Sequence, residues 1–180
     1  MKKIISSTYV KGKKVYLRQM TIDDAKTIVE WRNDPEIQKW MFTQDKLTLE
    51  KHLEWFKNRK NRIDFIICDL ESGKAIGTVN FINIQEKRAE AGKMLGDKDF
   101  WGGGFAKEAF ILWLNIGFID YHFEEIYVKT MSHNLPNIGL NKKLGFTKKE
   151  SHTKMINSNQ EVEILVMNMK KNEFKYLVEK

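Results

Sequence analysis

The residues with the clearest chemical potential are three consecutive glycines, Gly102-Gly103-Gly104, between an extended segment and an amphipathic helix. Without a Cβ the backbone can approach a ligand closely, and the free N–H groups of a first helical turn carry the positive end of the helix dipole. This arrangement favours an oxyanion such as a pyrophosphate. Taken alone, the glycines are equally compatible with a plain turn between a strand and a helix. Neither the Walker A spacing nor the dinucleotide-binding fingerprint is present.

A second informative segment is Asn134–Phe146, which closes on Leu144-Gly145-Phe146. A glycine in this place favours the left-handed backbone that ends many helices. Taken alone, the segment predicts a capped helix followed by a strand.

Arg32 and His52, on two successive predicted helices, are candidates for binding a ligand. The planar guanidinium of an arginine suits phosphate or carboxylate. Arg32 could equally be an ion-pair partner at a helix end, and His52, which lies between apolar positions, could be a packed core histidine. Trp40 and Met41 are either core residues or the wall of a pocket.

The first half of the chain predicts a strand, two helices and three further strands. The first helix begins at Ala25 after acidic capping residues, and Pro35 ends or restarts it. The next helix begins near Thr48, with Leu49, Leu53 and Phe56 on one face. A Ser-Gly turn predicts a hairpin. The predicted strands cover 15–20, 63–70, 75–85 and 88–95.

The second half predicts an apolar helix after the glycines and a strand, a short helix and two final strands. The apolar helix buries Ala109, Leu112, Trp113 and Ile116 and should pack across a sheet. The whole order predicts a mixed α/β fold with a mostly antiparallel sheet flanked by helices. These elements cover 106–119, 124–131, 134–143, 145–149 and 162–169.

The 180 residues suit one domain, which we place at 1–180. The formal net charge of +7 comes from basic residues interleaved with acids, which favours polyanionic small molecules over nucleic acid. Met1–Ser7 lacks the apolar core of a signal peptide, and no run could span a membrane, so we expect a cytoplasmic protein. Cys68 should be buried in a strand. The histidines and acids show no metal-ligand spacing, so no metal is expected.

The glycine segment resembles the Q/R-x-x-G-x-G/A loop of the GNAT superfamily of N-acetyltransferases, with Gly104 and Ala106 at its two small positions. The match is closest to the RimJ/RimL-like branch, which writes this loop W-G-x-G-Y/F-A. Trp101 stands where other branches carry Gln or Arg, so here the backbone must hold the phosphates. Asn134–Phe146 resembles the family's N-x-x-S segment ending in K-L-G-F, with Asn137 in place of Ser. The resemblance extends over residues 15–169.

This resemblance implies the GNAT fold, in which the sheet splays near its middle at the cofactor site. It also implies acetyl-CoA as cosubstrate and direct transfer of the acetyl group to an amine, and the protein could form a homodimer. The cofactor-binding residues that it implies are Met94, Leu95, Gly96, Gly102, Gly103, Gly104, Phe105, Ala106, Lys107, Asn134, Asn137 and Lys143.

The chemistry needs a polarised carbonyl, a base and an acid. A backbone N–H of the strand ending Lys93-Met94-Leu95-Gly96 should polarise the thioester carbonyl. Glu90, or His52 through a water, could act as the base, although Glu90 could equally be an outward-facing strand residue. Many relatives use a Tyr as the acid where this chain has Asn141, so the thiolate leaves unassisted or with a proton from water.

The segment from Arg32 to His52 also resembles the flagellin-glycan acetyltransferases (PseH-like) that act on a UDP-linked 4-amino sugar in pseudaminic acid biosynthesis. The acceptor-binding residues that it implies are Arg32, Trp40, Met41, His52 and Asn80. Two alternatives are acetylation of a protein N-terminal amine, as in RimJ/RimL relatives, and a non-catalytic sensor that binds acyl-CoA.

Overall fold

A computed structural model describes residues 9–157 and 160–176 and shows one eight-stranded sheet with the order β1-β2-β3-β4-β5-β6-β8-β7. The neighbours from β1 to β5 are antiparallel, β5 and β6 are parallel, and β8 lies antiparallel between β6 and β7. The strands are β1 Tyr9–Lys11, β2 Val15–Gln19, β3 Arg62–Asp69, β4 Ala75–Gln85, β5 Arg88–Leu95, β6 Glu125–Met131, β7 Thr147–Asn157 and β8 Gln160–Lys170.

Helices cover both faces of this sheet, as the sequence predicted. On one face α4 packs on β2, β4 and β5, and Trp113 of α4 stacks on Phe81 of β4 with ring centroids 4.3 Å apart. On the other face Ile28 of α1 packs with Ile66 and the buried Cys68 of β3. The helices are α1 Ala25–Asn33, α2 Pro35–Gln38, α3 Leu49–Asn58, α4 Phe105–Asn115 and α5 Leu135–Leu144.

The sheet divides between β5 and β6. Their parallel ladder pairs only Arg88–Glu90 with Glu125–Tyr127 in the described chain, and the two strands part beyond it. β5 stays paired with β4 along its whole length, and the Gly96 N–H donates to the Ile76 carbonyl of β4 at 2.8 Å. Since N–H groups alternate in direction along a strand, those of Lys93 and Leu95 point away from β4 towards the gap.

The differences from the predicted elements have local causes. β1 was not predicted, because its three residues carry no alternating pattern. The strand predicted to begin over 145–149 continues as β7 to Asn157, through the polar residues 150–154. Pro35 restarts the chain as α2, with the Asp34 side chain accepting from the Glu36 N–H at 2.9 Å. Leu49, which was predicted to share one face of its helix with Leu53 and Phe56, is 38% exposed, and His52 is the buried residue of α3.

Residues 1–8, which include the segment judged not to be a signal peptide, lie outside the described residues. Within the described ranges, none of the helices is both long and apolar enough to cross a membrane.

Candidate active site at the gap in the sheet

A cavity of about 550 Å³ extends from the α1–α3 face of the sheet into the gap between β5 and β6. Its walls come from α1, the segment before α3, the sheet strands and the start of α5. The site residues predicted from the sequence that line it are Arg32, Trp40, Met41, His52, Asn80, Glu90, Met94, Asn134 and Asn137. The structure therefore gathers both acceptor-side and cofactor-side candidates around one space.

Arg32 and His52 meet because the side chain of Asn33 ties the two helices together. Its Nδ2 donates to the Leu47 carbonyl at 2.8 Å and its Oδ1 accepts from the Leu47 N–H at 2.9 Å. Thr48 then caps α3 by accepting from the Lys51 N–H at 3.3 Å. As a result, the last turn of α1 and the first turn of α3 present Arg32 and His52 to the same cavity.

Both side chains carry a buried nitrogen atom that finds no hydrogen-bond partner among the described residues. These atoms are Nε of Arg32 and Nε2 of His52. Burial lowers the pKa of Arg32, and burial followed by the nearby Arg32 charge lowers the pKa of His52. His52 is therefore a neutral imidazole at neutral pH, and its ring stacks on Trp55 at 4.9 Å. The ion pair considered for Arg32 at the helix end does not occur within residues 9–157 and 160–176.

Asp64, which the sequence analysis did not single out, contributes a carboxylate to the same wall. Arg62 binds it in a bidentate manner at 2.6 and 2.8 Å, and Arg59 lies 3.5 Å away. Its charge is therefore neutralised by neighbours. Asn80 lies opposite it on β4, and the missing Cβ of Gly92 leaves room for the Asn80 side chain, because an added Cβ would stand 2.6 Å from its Oδ1.

Glu90 is buried beside the cavity and is not the outward-facing residue that we had considered. Its Oε2 accepts from Nδ2 of Asn83 at 2.9 Å and lies 3.1 Å from Nζ of Lys129. Its role as a base stays a prediction.

The end of β5 offers main-chain donors to the gap. Lys93 and Leu95 point their N–H groups there, and the Leu95 carbonyl accepts from Nε1 of Trp101 at 3.0 Å. Gly96 has a packing role, and the cofactor contact predicted for it stays a prediction. Its N–H is bound to Ile76, and a Cβ would stand 2.1 Å from the Trp31 ring. The glycine is thus required for the packing of α1.

The glycine loop leads into α4 as the sequence predicted. Gly102 and Gly104 have φ of 78° and 82°, and an added Cβ at either position would meet nothing within 4 Å. Open space beside the first turn suits a ligand that approaches the backbone. Lys14, which the sequence gave no reason to select, reaches this loop and donates from Nζ to the Gly103 carbonyl at 2.9 Å.

The remaining residues predicted to bind the cofactor near the loop differ in burial. Phe105 and Ala106 are half-buried in the first turn of α4. Lys107 is exposed, with its Nζ 5.7 Å from the Tyr176 ring, and Lys143 is exposed in the last turn of α5. Neither lysine lines the cavity.

The start of α5 closes the cavity on the β6 side. Asn134 caps the helix by accepting from the Asn137 N–H at 3.2 Å, and Nδ2 of Asn137 donates to Oγ1 of Thr130 at 3.0 Å. One turn later the fully buried Asn141 accepts from Nζ of Lys93 at 2.6 Å. The two strands bordering the gap are therefore linked through α5.

A larger groove of about 1040 Å³ lies at the other end of β5. Four of its charged residues form two ion pairs, Lys87 with Glu124 and Arg88 with Glu125 at 2.9 Å. Among the described residues that line this groove, none carries a buried polar side-chain atom without a hydrogen-bond partner.

The family model for an acetyltransferase (GNAT) domain matches residues 14–147, which include the gap and the glycine loop. The chain belongs to the GNAT family. GNAT acetyltransferases use acetyl-CoA, and the mixed, mostly antiparallel sheet agrees with the fold that the sequence predicted.

Several proteins resemble this GNAT chain. An uncharacterized protein of Methanocaldococcus jannaschii is 30% identical over 75% of the chain, which spans only 28% of that protein's length. An uncharacterized N-acetyltransferase, p20, of Bacillus licheniformis is 33% identical over 73% of the chain and 78% of its own. The acetyltransferase PseH of Campylobacter jejuni is 31% identical over 41% of the chain and 47% of its own.

Solved structures share the fold. A spermidine N-acetyltransferase from Vibrio cholerae, in complex with CoA and spermine, superposes with a TM-score of 0.81 over 90% of this chain and 98% of its own. Its sequence identity is 19%, so this likeness concerns the fold.

Proposed function

We propose that this protein transfers the acetyl group of acetyl-CoA to the primary amine of a small, negatively charged molecule, and that the acceptor is a UDP-linked 4-amino-4,6-dideoxy sugar. The observation that carries the proposal is the half-buried Arg32, which lines the acceptor side of the cavity and has a buried Nε without a hydrogen-bond partner in the described residues. A buried cation is stable when an anion pairs with it, and a phosphate or carboxylate of the acceptor would do so.

The balance of charges in the cavity favours an anionic acceptor. The two carboxylates that line it, Asp64 and Glu90, are already paired with Arg62 and Lys129. Arg32 has no such partner in the described chain. A polyamine, which would need uncompensated carboxylates, is therefore disfavoured.

His52 is the residue best suited to receive the proton of the attacking amine. Its neutral imidazole has an unpartnered Nε2 in the cavity, so it can accept a hydrogen bond directly or through a water. The N–H groups of Lys93 and Leu95 would stabilise the oxyanion that forms on the acyl carbon. Once the amine is neutral, its attack on the thioester forms the amide and releases the thiol of CoA.

Trp40 and Met41 supply an apolar wall of the same cavity. A deoxy sugar presents a methyl group and an apolar ring face, and aromatic and thioether side chains bind both well. The likeness to PseH, over 41% of the chain, supports this choice of acceptor.

The test is a panel of acceptors assayed by thiol release from acetyl-CoA, comprising UDP-4-amino sugars, free amino sugars, polyamines and peptides with free N-termini. We expect the UDP-4-amino sugars to have the highest kcat/KM. Arg32→Ala should raise the KM of the best sugar by about tenfold or more, because a charge-assisted hydrogen bond contributes roughly 1.5–3 kcal/mol. His52→Ala should mainly lower kcat.

The matched control is Arg88→Ala, which removes an arginine of β5 that pairs with Glu125 outside the cavity. It should leave the KM of the acceptor unchanged, and all three variants should bind CoA as the wild type does in calorimetry. Preference for peptides would assign the protein to N-terminal acetylation. Binding of acetyl-CoA without turnover of any acceptor would favour the sensor.

A further inference from the structure

Lys93 is a lysine placed on the core-facing side of a strand. Its neighbours in the alternation, Ala91 and Leu95, both pack in the main core with α4. Nζ of Lys93 lies 4.1 Å from the centre of the Phe110 ring and donates to Oδ1 of Asn141 at 2.6 Å. Lys93 is thus enclosed by α4 and α5 while still lining the cavity at the gap.

The other charged groups around Lys93 either bind other residues or are exposed. Lys129 of β6 pairs with Glu90 on the opposite face of the sheet, and Lys142 and Lys143 of α5 are exposed. Glu108 of α4 accepts from the Lys14 N–H of the β1–β2 loop at 2.8 Å. Burial alone therefore acts on Lys93, and it lowers the pKa from its ordinary value to about 7. At neutral pH the side chain can release a proton readily.

The position of Lys93 suits an interaction with the departing sulfur of coenzyme A. Its backbone N–H points into the gap, where it would polarise the acyl carbonyl, and its side chain turns from the same point towards α5. The buried Nδ2 of Asn141 has no hydrogen-bond partner in the described residues, so a second donor stands beside Nζ. Such a pair of donors suits a developing negative charge.

We propose that Lys93, positioned by Asn141, is the general acid that protonates the sulfur of the departing coenzyme A. The proposal rests on the proposed acetyl transfer. As the tetrahedral intermediate collapses, the carbon–sulfur bond breaks with its electron pair going to sulfur, and Lys93 gives a proton from Nζ to form the thiol. Lys93 becomes a neutral amine and is reprotonated by solvent, while the proton of the attacking amine passes to His52 or water.

This transfer is favourable in energy. An alkyl thiol has a pKa of about 8.5, so an ammonium with a pKa of about 7 is the stronger acid and gives up its proton to a thiolate. The proposal replaces both alternatives considered from the sequence, an unassisted thiolate and a proton from water.

The kinetic test compares Lys93→Met and Lys93→Arg with wild type, using acetyl-CoA and the best acceptor of the panel. We expect Lys93→Met to retain CoA affinity in calorimetry and to lower kcat by about a hundredfold, the lower end of general acid catalysis. The fall of wild-type kcat above about pH 7, as Lys93 loses its proton, should be absent in the variant. Lys93→Arg should not restore kcat, because a guanidinium keeps its proton. Lys26→Met, an exposed lysine of α1, is the matched control.

A second test needs no acceptor. The Nζ resonance of Lys93, observed by ¹⁵N-lysine NMR and assigned with Lys93→Arg, should titrate near pH 7 and shift on addition of CoA but not of desulfo-CoA. Titration near the ordinary lysine value, an equal response to both compounds, or full activity of Lys93→Arg would overturn the proposal. Absence of wild-type turnover on the whole panel would instead refute the proposed function, and the resonance would still decide whether Lys93 faces the sulfur.

Discussion

At the scale of single residues, the site is defined by two cations that lack a carboxylate. Most cationic groups near the cavity are paired, as Arg62 is with Asp64 and Lys129 with Glu90. Arg32 and Lys93 are not paired with a carboxylate in the described chain, and they lie on opposite faces of the sheet, Arg32 on the α1 side and Lys93 against α4 and α5. We propose that Arg32 binds the acceptor and that Lys93 acts on the leaving group.

Lys93 should leave a signature in the pH dependence of stability. Its pKa is about 7 in the folded protein and about 10.4 in an unfolded chain, so between these values the unfolded chain holds a proton that the folded one has released. The free energy of unfolding should therefore rise with pH from about 7 to about 10. Lys93→Met removes this contribution and should be several kcal/mol more stable than wild type at pH 7. Urea denaturation at both ends of this pH range measures the free energy of unfolding of wild type and variant.

Lys26→Met is again the control, because it replaces an exposed lysine of α1 and should change neither the free energy of unfolding nor its slope with pH. An identical slope in wild type and Lys93→Met would show that Lys93 remains charged when the protein folds.

The sequence predicted part of this residue pattern. The sequence predicted Arg32 and His52 on two successive helices as candidates for binding a ligand, and the structure brings both to one cavity. Lys93 was missed because the strand was considered for its backbone donors alone. The alternation Ala91, Lys93, Leu95 puts a lysine on an apolar face, and that signal was available in the sequence. The contact with Asn141 was not, since it joins residues far apart along the chain.

At the scale of elements, the start of α4 depends on the left-handed backbone of its glycines. Gly104→Val should abolish the rise in Tm on adding acetyl-CoA, because a branched side chain would fill the open space beside the first turn. Since φ is 82°, the substitution also destabilises the fold, by about 1–2 kcal/mol. Thermal unfolding with and without acetyl-CoA separates the two effects.

Gly73→Val is the matched control. Gly73 has φ of 73° in the β3–β4 turn, so the backbone strain is similar, while the turn lies outside the cavity. This variant should have a lower Tm than wild type and should show the full rise in Tm on addition of acetyl-CoA. A retained shift in Gly104→Val would remove the loop from the cofactor site.

Element boundaries followed from the sequence where local signals were strong. The bounds of β4 and β5 coincide with the prediction, because turn residues separate two apolar runs. Gly145 caps the end of α5 as expected, and Asn134, predicted as the first helical residue, is its N-cap. The length of β7 could not be predicted, because its polar residues are held by pairing with β8 and not by burial.

At the scale of the whole molecule, the net charge of +7 should assist the binding of polyanions. The Kd of CoA should rise several-fold between about 0.05 M and about 0.5 M NaCl, because salt screens exposed charges. 3′-Dephospho-CoA, which carries fewer charges, should show a shallower dependence in the same calorimetric titration. Equal slopes for the two ligands would mean that the third phosphate is not near the basic surface.

The short ladder between β5 and β6 has a consequence for the degradation of the protein in the cell. In the described chain, main-chain pairing joins the β1–β5 half of the sheet to the β6–β8 half only through Arg88–Glu90 and Glu125–Tyr127. A seam of this kind is where a domain opens locally and where proteases gain access. A ligand bound in this seam would contact both halves and stabilise the folded protein. The degradation rate of this protein should therefore fall as the supply of its acyl donor rises.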